Sequence, residues 1–402
     1  MDKKLYSCGI FIDLSKAFDT VDHNILLSKL HYYGIRGVIN DWFASYLKDR
    51  YQTTQIRDAV SEKKETLCGV AQGSVLGPLL FLLYVNDICH SSDIFDFFLF
   101  ADDTNLLYAN SNLKTLETIV NKELQKLSDW LIANKLTLNI KKSNFVIFRP
   151  YQKKIYYQPV IKLFDSSSHQ RIPLDSKDYV KYLGILVDSN ISWKHHIDYI
   201  ALKISKIVGI ISRIRHLTPP SILLNLYSSL ILPYLSYGVV AWGRAPKLYK
   251  NKLLILQKRA LRLIYFKHRQ EHAIPLFVNS NFLPIDMIYF EKTANLMYDV
   301  NFNLAPIPIQ NLFQKSSDVH SYNTRSVGKS NFSIKFSRLE IQKLSFSRSG
   351  PVIWNSIPSC IRNEPKNVFK EKLRSLLRNI LETEDDYIDI QSIIQKSSIF
   401  HF

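Results

Sequence analysis

Two adjacent carboxylates, Asp102 and Asp103, stand between apolar, aromatic-rich runs in the stretch FDFFLFADDTNLLYA. The flanking runs, Ile94 to Phe100 and Thr104 to Tyr108, have strand composition, which predicts a hairpin with both aspartates at its tip. Like charges held side by side resist desolvation unless a cation neutralises them. Aspartate is also common in solvated turns, so the pair alone does not define a site. A third carboxylate shifts the balance. Residues Tyr6 to Ile12 read as a buried strand, and Asp13 closes it. A carboxylate at a strand end and two on a hairpin tip are the ligand types that hold two divalent cations for phosphoryl transfer. Such hard oxygen donors suit magnesium, which takes further oxygens from substrate phosphates. Asp19, Asp22 and Asp87 are rival carboxylates, each explained by a cap or a turn.

The elements that must position these groups follow from periodicity and punctuation. Asp22 is a good N-cap for a helix to about Tyr33, stopped by Gly34. A second helix spans roughly Val38 to Leu47. Tyr51 to Arg57 and Glu65 to Val70 read as paired strands. Gln72-Gly73-Ser74 is a small-residue turn feeding a helix from Gly77-Pro78 to near Asp87. Leu113, Leu116, Val120, Leu124, Leu127 and Leu131 recur at spacings of three and four, the signature of one long amphipathic helix. Leu136 to Ile140 and Phe145 to Phe148 read as a hairpin around Lys141-Lys142-Ser143. Residues 1–150 thus mix strands and helices in an α+β pattern. Arg149 to Asp178 is a looser, serine-bearing stretch that reads as a linker, and Tyr179 to Val187 returns to strand. The remainder is mainly helical. Ile197, Ile200, Ile204, Ile207 and Ile211 mark one helix, and Ile222 to Trp242 reads as a buried helix pair broken at Pro233.

Composition limits the function classes. The 402 residues suffice for two or three domains, and 46% hydrophobic with 12% aromatic residues excludes a disordered chain. The net charge of +17 favours a polyanionic partner, nucleic acid above an anionic membrane surface, because no anchor helix or lipidation motif stands out. The four cysteines are scattered and form no CxxC pair, which argues against zinc and fits reduced thiols inside a cell. The first residues are too short an apolar run for a signal peptide. Positive charge concentrates between Arg244 and Arg269, with nine basic residues and no acidic one. Lys247, Lys250, Lys258, Arg259 and Arg262 from this stretch are candidate phosphate contacts, over an apolar stripe of Leu253, Leu256, Leu261 and Ile264. A second basic stretch, Lys315 to Arg348, interleaves with Phe332, Phe336 and Phe346. Phosphate contacts need no special geometry, so these stretches indicate a polyanion without specifying which.

The segments FIDLSKAFDTVDH, AQGSVLGPLLFLLYVNDI and FLFADDTNLL, in this order, resemble those of the reverse transcriptases of non-LTR, jockey-like retrotransposons. The resemblance extends along nearly the whole chain. LNIKKSNFVIF looks like the family's motif D, VKYLGILVD like the strands that grip the primer end, and SYGVVAWG and SGPVIWNSIPSCIR like segments that follow the polymerase. The resemblance implies a right-hand polymerase fold. Residues 1–150 would form the palm, 151–190 a linker with primer-grip-like strands, 191–275 a helical thumb-like region and 276–402 a basic C-terminal region. It implies that Asp13, Asp102 and the carbonyl of Leu14 hold two magnesium ions, with manganese as the alternative, and that Asp103 stands beside them. Phe18 would lie under the sugar of the incoming nucleotide and exclude a 2′-hydroxyl. Gln72 and Gly73 would lie against nucleotide and template, and Lys142 would protonate the leaving pyrophosphate, although a charged hairpin tip explains Lys142 equally well. The implied partners are an RNA template, a DNA primer and a dNTP, with no membrane. The implied location is intracellular, in the nucleus or a cytoplasmic ribonucleoprotein. The family's fingers segment and endonuclease domain would precede the strand bearing Asp13, where this chain begins, so a truncated piece of such an element is expected. The rival readings are a catalytically silent nucleic-acid-binding remnant and an RNA-templated RNA polymerase; the bulk of Phe18 speaks against the latter.

Overall fold

In a computed structural model the described residues are 5–153, 155–165, 168–319, 331–337, 340–383 and 389–399. The chain divides into two compact units, one ending at Val180 and the other beginning at Lys181.

The first unit is built on a five-stranded sheet. β1 (Tyr6–Ile12) is apolar on the face that carries Cys8, Ile10 and Ile12, and these three are buried. The chain then makes a short 3₁₀ turn, α1 (His23–Tyr32) and α2 (Val38–Leu47). Asp22 caps α1, its Oδ1 accepting from the N–H groups of Asn24 and Ile25. The two strands expected across residues 51–70 are instead two nested two-residue ladders. β2 (Tyr51–Gln52) pairs with β5 (Lys64–Glu65), and β3 (Gln55–Ile56) with β4 (Ala59–Val60). These residues are exposed, and such short ribbons have no core face to extend them. α3 (Leu76–Val85) follows and buries Leu80, Phe81 and Tyr84. β6 (Asp96–Phe100) and β7 (Asp103–Asn110) form the expected hairpin, and α4 (Leu113–Ala133) covers the core face with the predicted leucines.

With β8 (Asn144–Phe148) and β11 (Asp175–Ser176), the sheet order is β11-β8-β1-β7-β6. β1 pairs antiparallel with β7 on one side and with β8 on the other. The expected hairpin between residues 136–140 and β8 does not form. β8 gives its ladder to β1, and the earlier segment makes only an isolated bridge, Leu138 to Leu14. Much of the stretch read as a linker is ordered: β9 (Lys162–Asp165) pairs with β10 (Gln170–Pro173), and β11 runs parallel to β8. The strand expected over residues 179–187 is a hairpin, β12 (Tyr179–Tyr182) and β13 (Ile185–Asp188), with Gly184 at φ 84° between them.

The second unit is helical. α5 (Lys194–Ile214) buries the predicted isoleucine row, except that Ile207 is half-buried and Val208 takes its place in the core. The Ile222–Trp242 stretch does not break at Pro233. α6 (Pro220–Leu226), a π turn at Tyr227–Ile231 and α7 (Leu232–Ser236) run on as one rod, and the break falls at Gly238, φ 58°, before α8 (Val239–Trp242). A wider turn just before Pro233 relieves the clash of its ring with the preceding turn's carbonyl. α9 (Lys247–Ile264) packs on α5, and α10 (Ile274–Ser280) and α11 (Ile285–Asn301) complete the core with helices from residues 346–382. Part of the second basic stretch, including Arg325, Lys329 and Arg338, lies outside the described residues.

Candidate active site

The ladder registers bring the carboxylates together. Ile12 pairs with Thr104 and Phe100 with Asp103, so the end of β1 and the β6–β7 turn meet at one end of the strands. Ala101 turns the hairpin with φ 50°, a left-handed conformation costly for a residue with a Cβ. Beyond β1, the Asp13 carbonyl accepts from Asn139 N–H at 2.8 Å, and Ser15 N–H donates to Thr137 O at 2.8 Å. The Asp13 N–H donates to Ser143 Oγ at 3.2 Å. The Asp13 main chain is therefore held on both sides by the 137–143 segment.

Three observations define the electrostatics. Partial desolvation raises the carboxyl of Asp103, a residue exposed overall, above its ordinary value, and the negative charges of Asp102 and Asp13 raise it further. All three carboxylates thus share one field. The ammonium of Lys142 stands 3.7 Å from Asp13 Oδ2 and is itself well exposed. Leu14, whose carbonyl the sequence reading assigned to metal, is buried at 5% exposure and fixed by its bridge to Leu138. The donor set is all hard oxygen, which fits a magnesium-type ion. Among the described residues no three His, Cys, Asp or Glu side chains converge closely enough to hold a metal by themselves. Such a site draws its remaining ligands from water and substrate phosphates, as magnesium sites commonly do.

The candidate nucleotide-binding residues Phe18, Gln72 and Gly73 lie on other segments of the same unit. The ring of Phe18 packs 4.5 Å from that of Phe81 on α3, which braces it from one side. Gln72 is exposed and donates through Nε2 to Asp19 Oδ1 at 2.8 Å. Gly73 takes φ 80°, so the turn into α3 needs a residue without Cβ strain. A polar groove of roughly 860 Å³ runs beside them, with Lys16, Asp19, Arg50, Gln52, Cys68 and Gln72 in its wall. Lys16 and Arg50 are cations that sequence reasoning missed, and Ser143 was seen only as part of a turn. Gly69 was also missed. Its φ is 91°, and a Cβ there would lie 2.9 Å from the Asp19 backbone.

The candidate phosphate contacts on α9 separate into two groups. Lys247 and Arg259 are exposed, and Lys258 and Arg262 half-buried. The Nε of Arg262 donates to Glu271 O at 2.8 Å. Lys250 is different: it is 5% exposed and its Nζ bonds Asp286, itself 1% exposed, on α11. Lys250 is therefore a core ion pair and not a phosphate contact. Its position on the inner face of α9, beside Leu253, Leu254 and Gln257, is what buries it.

Residues 1–187 match the family model of reverse transcriptase (RNA-dependent DNA polymerase). The chain is 29% identical over 280 residues to a probable RNA-directed DNA polymerase from transposon BS of Drosophila melanogaster, covering 65% of this chain and 29% of that relative. It is 28% identical over 278 residues to the RNA-directed DNA polymerase from mobile element jockey of the same fly, covering 66% and 29%. The X-element relative shows 27% identity with similar coverage. The chain thus spans under a third of the length of these curated relatives. A solved telomerase from Candida albicans, in complex with a fragment of telomeric RNA, aligns with a TM-score of 0.31 and 12% identity over 70% of this chain and 46% of that one, too distant to carry an argument. Residues 1–187, a little under half of the chain, match the reverse transcriptase family, and their sheet with its covering helices is the α+β arrangement expected of a palm. The curated relatives that the chain resembles are RNA-directed DNA polymerases of the jockey, BS and X-element kind.

Proposed function

We propose that this chain is the polymerising part of an RNA-directed DNA polymerase, which joins deoxynucleotides from dNTP to the 3′-hydroxyl of a DNA primer on an RNA template. The observation that carries the reading is the meeting of Asp13, Asp102 and Asp103 at one end of the central strands, with Lys142 beside Asp13, inside the segment that matches the reverse transcriptase family. Asp13, Asp102 and the Leu14 carbonyl, with Asp103 adjacent, would hold two magnesium ions (manganese being the alternative), which supply neutralisation at the attacking hydroxyl and the leaving pyrophosphate. The chain's own residues do the rest. Phe18, braced by Phe81, presents a ring where a 2′-hydroxyl would have to fit, which favours deoxynucleotides. Gln72 and the Gly73 turn face the nucleotide, with Lys16 and Arg50 as nearby cations for the triphosphate. Lys142, whose Nζ stands 3.7 Å from Asp13 Oδ2, would give a proton to the departing pyrophosphate oxygen. Reduced thiols fit this setting inside a cell, in the nucleus or a cytoplasmic ribonucleoprotein, and no helix among the described residues is long and apolar enough to cross a membrane.

The test is primer extension on an RNA template with magnesium and dNTPs. Asp102→Asn should lower incorporation by about a hundredfold or more, the scale of losing one charge-stabilising group at a reacting centre. Incorporation that survives the substitution undiminished would overturn the assignment.

A further inference from the structure

Asp19 was set aside above as a turn residue, and the family comparison gives it no role. It ends the 3₁₀ turn Ala17–Asp19, six positions after Asp13. The segment that carries Gln72 is laced onto this turn by main-chain bonds. Val70 N–H donates to Phe18 O at 2.8 Å, and Gly69 N–H to Val21 O at 2.7 Å. His23 Nε2 lies 2.8 Å from Gly69 O, and Cys68 Sγ 3.3 Å from Asp19 O. The close fit at Gly69 admits no side chain. These ties end at Val70. The next fixed point is Ser74, whose Oγ donates to Ala71 O at 2.7 Å and accepts from Gly77 N–H at 2.9 Å. Between them Gly73 adopts a left-handed φ, and the exposed Gln72 side chain donates to Asp19 Oδ1.

We infer that Asp19 is a positioning residue for nucleotide binding, acting through Gln72. The inference rests on the polymerase reading of the site. An ionised carboxylate only accepts hydrogen bonds, whereas a primary amide has one accepting and one donating end. Asp19 therefore dictates which end of Gln72 turns towards it. The NH₂ is drawn to the carboxylate, and the carbonyl Oε1 is left for the groove that both residues line. The ligand chemistry that Oε1 meets is a hydroxyl or amino donor on the incoming nucleotide. Without the carboxylate the amide is free to flip and to take other rotamers, so the acceptor is presented only part of the time.

The test is a mutant cycle on the full chain, read in primer extension and, independently of turnover, in the side-chain amide resonance of Gln72 after selective ¹⁵N-glutamine labelling. Asp19→Ala and Gln72→Ala should each raise the KM for dNTP about tenfold, with kcat within about twofold, as expected when binding and not chemistry is lost. Asp19→Asn, which keeps an acceptor but allows either orientation, should fall between wild type and Asp19→Ala. The double substitution should match Gln72→Ala alone. The Gln72 amide signal should move in Asp19→Ala even in the absence of nucleic acid. Additive losses in the double variant, an unchanged KM in Asp19→Ala, or an unmoved Gln72 signal would each overturn the inference. A wild-type chain that neither incorporates nor binds dNTP would overturn the polymerase reading instead, and the resonance still reports separately on the Asp19–Gln72 restraint.

Discussion

At the scale of single residues, the charge crowded where β1 ends beside the β6–β7 turn has a measurable signature. The Asp103 carboxyl is raised first by partial desolvation and then by Asp102 and Asp13. A carboxyl whose folded value lies above its unfolded one keeps its proton in the native state after the unfolded chain has released it. Stability is therefore lost as pH rises from the ordinary aspartate value through the raised one, and the loss is complete above it. Asp103→Asn removes that penalty. We expect the variant to melt about 1–2 °C higher than wild type at neutral pH, a surface-scale effect in a chain of this size, and the difference to vanish near pH 3, where the carboxyl is protonated in both states. Saturating magnesium should reverse the order by stabilising the wild type more, since the variant offers one carboxylate fewer. Scanning calorimetry across pH, with and without magnesium, checks both. A variant that melts lower at neutral pH without metal would show that Asp103 is held by favourable contacts and not by repulsion.

At the scale of elements, what could be read from the sequence depended on how local the deciding contacts were. β1 has the bounds its apolar run indicated, and α4 buries the leucines its spacing picked out, because burial on one face leaves a periodic trace. The Asp102-Asp103 hairpin was readable for the same reason. The partner of β8 was not: strand pairing between β8 and β1 joins residues far apart in sequence, and the turn-like Lys141-Lys142-Ser143 invited a local hairpin that long-range pairing overrides. Lys250 failed similarly. Its neighbours on α9 are basic and it read as one of a patch, but its helical phase points inward to Asp286, 36 residues later. Such a pair costs most when only half is removed. Lys250→Met should cost roughly 3–5 kcal/mol by removing the cation that offsets the Asp286 charge in the core, and adding Asp286→Leu should recover most of the loss. Urea midpoints of the single and double variants measure this, and a double variant as unstable as the single would mean that the site cannot accept apolar packing.

At the scale of the whole molecule, the net charge of +17 becomes useful only when sorted by burial and pairing. Several lysines are already committed within the fold: Lys250 to Asp286, Lys252 to Asp198 at 2.5 Å, and Lys366 to Asp299 at 2.6 Å. Their charge does little for a distant polyanion. The outward cations of α9, among them Lys258 and Arg259, keep the candidacy that Lys250 loses. A phosphate contact releases condensed counterions, so its removal lowers the salt dependence of binding as well as its strength. Replacing both Lys258 and Arg259 by alanine should therefore reduce the slope of log K against log salt by about 1.4–1.8, which is roughly 0.7–0.9 for each phosphate contact. Lys162→Ala, at an exposed lysine on β9 in the first unit, changes net charge without touching α9 and should leave the slope near its wild-type value. Filter binding to an RNA–DNA primer–template at several salt concentrations separates the two. If the α9 pair and Lys162 shift the slope by the same amount per charge, binding is governed by the overall field of the chain, and α9 is no specific contact surface. If only the α9 pair shifts it, the positive charge of the helical unit is organised along one helix, and Lys247 and Arg262 become the next residues to substitute.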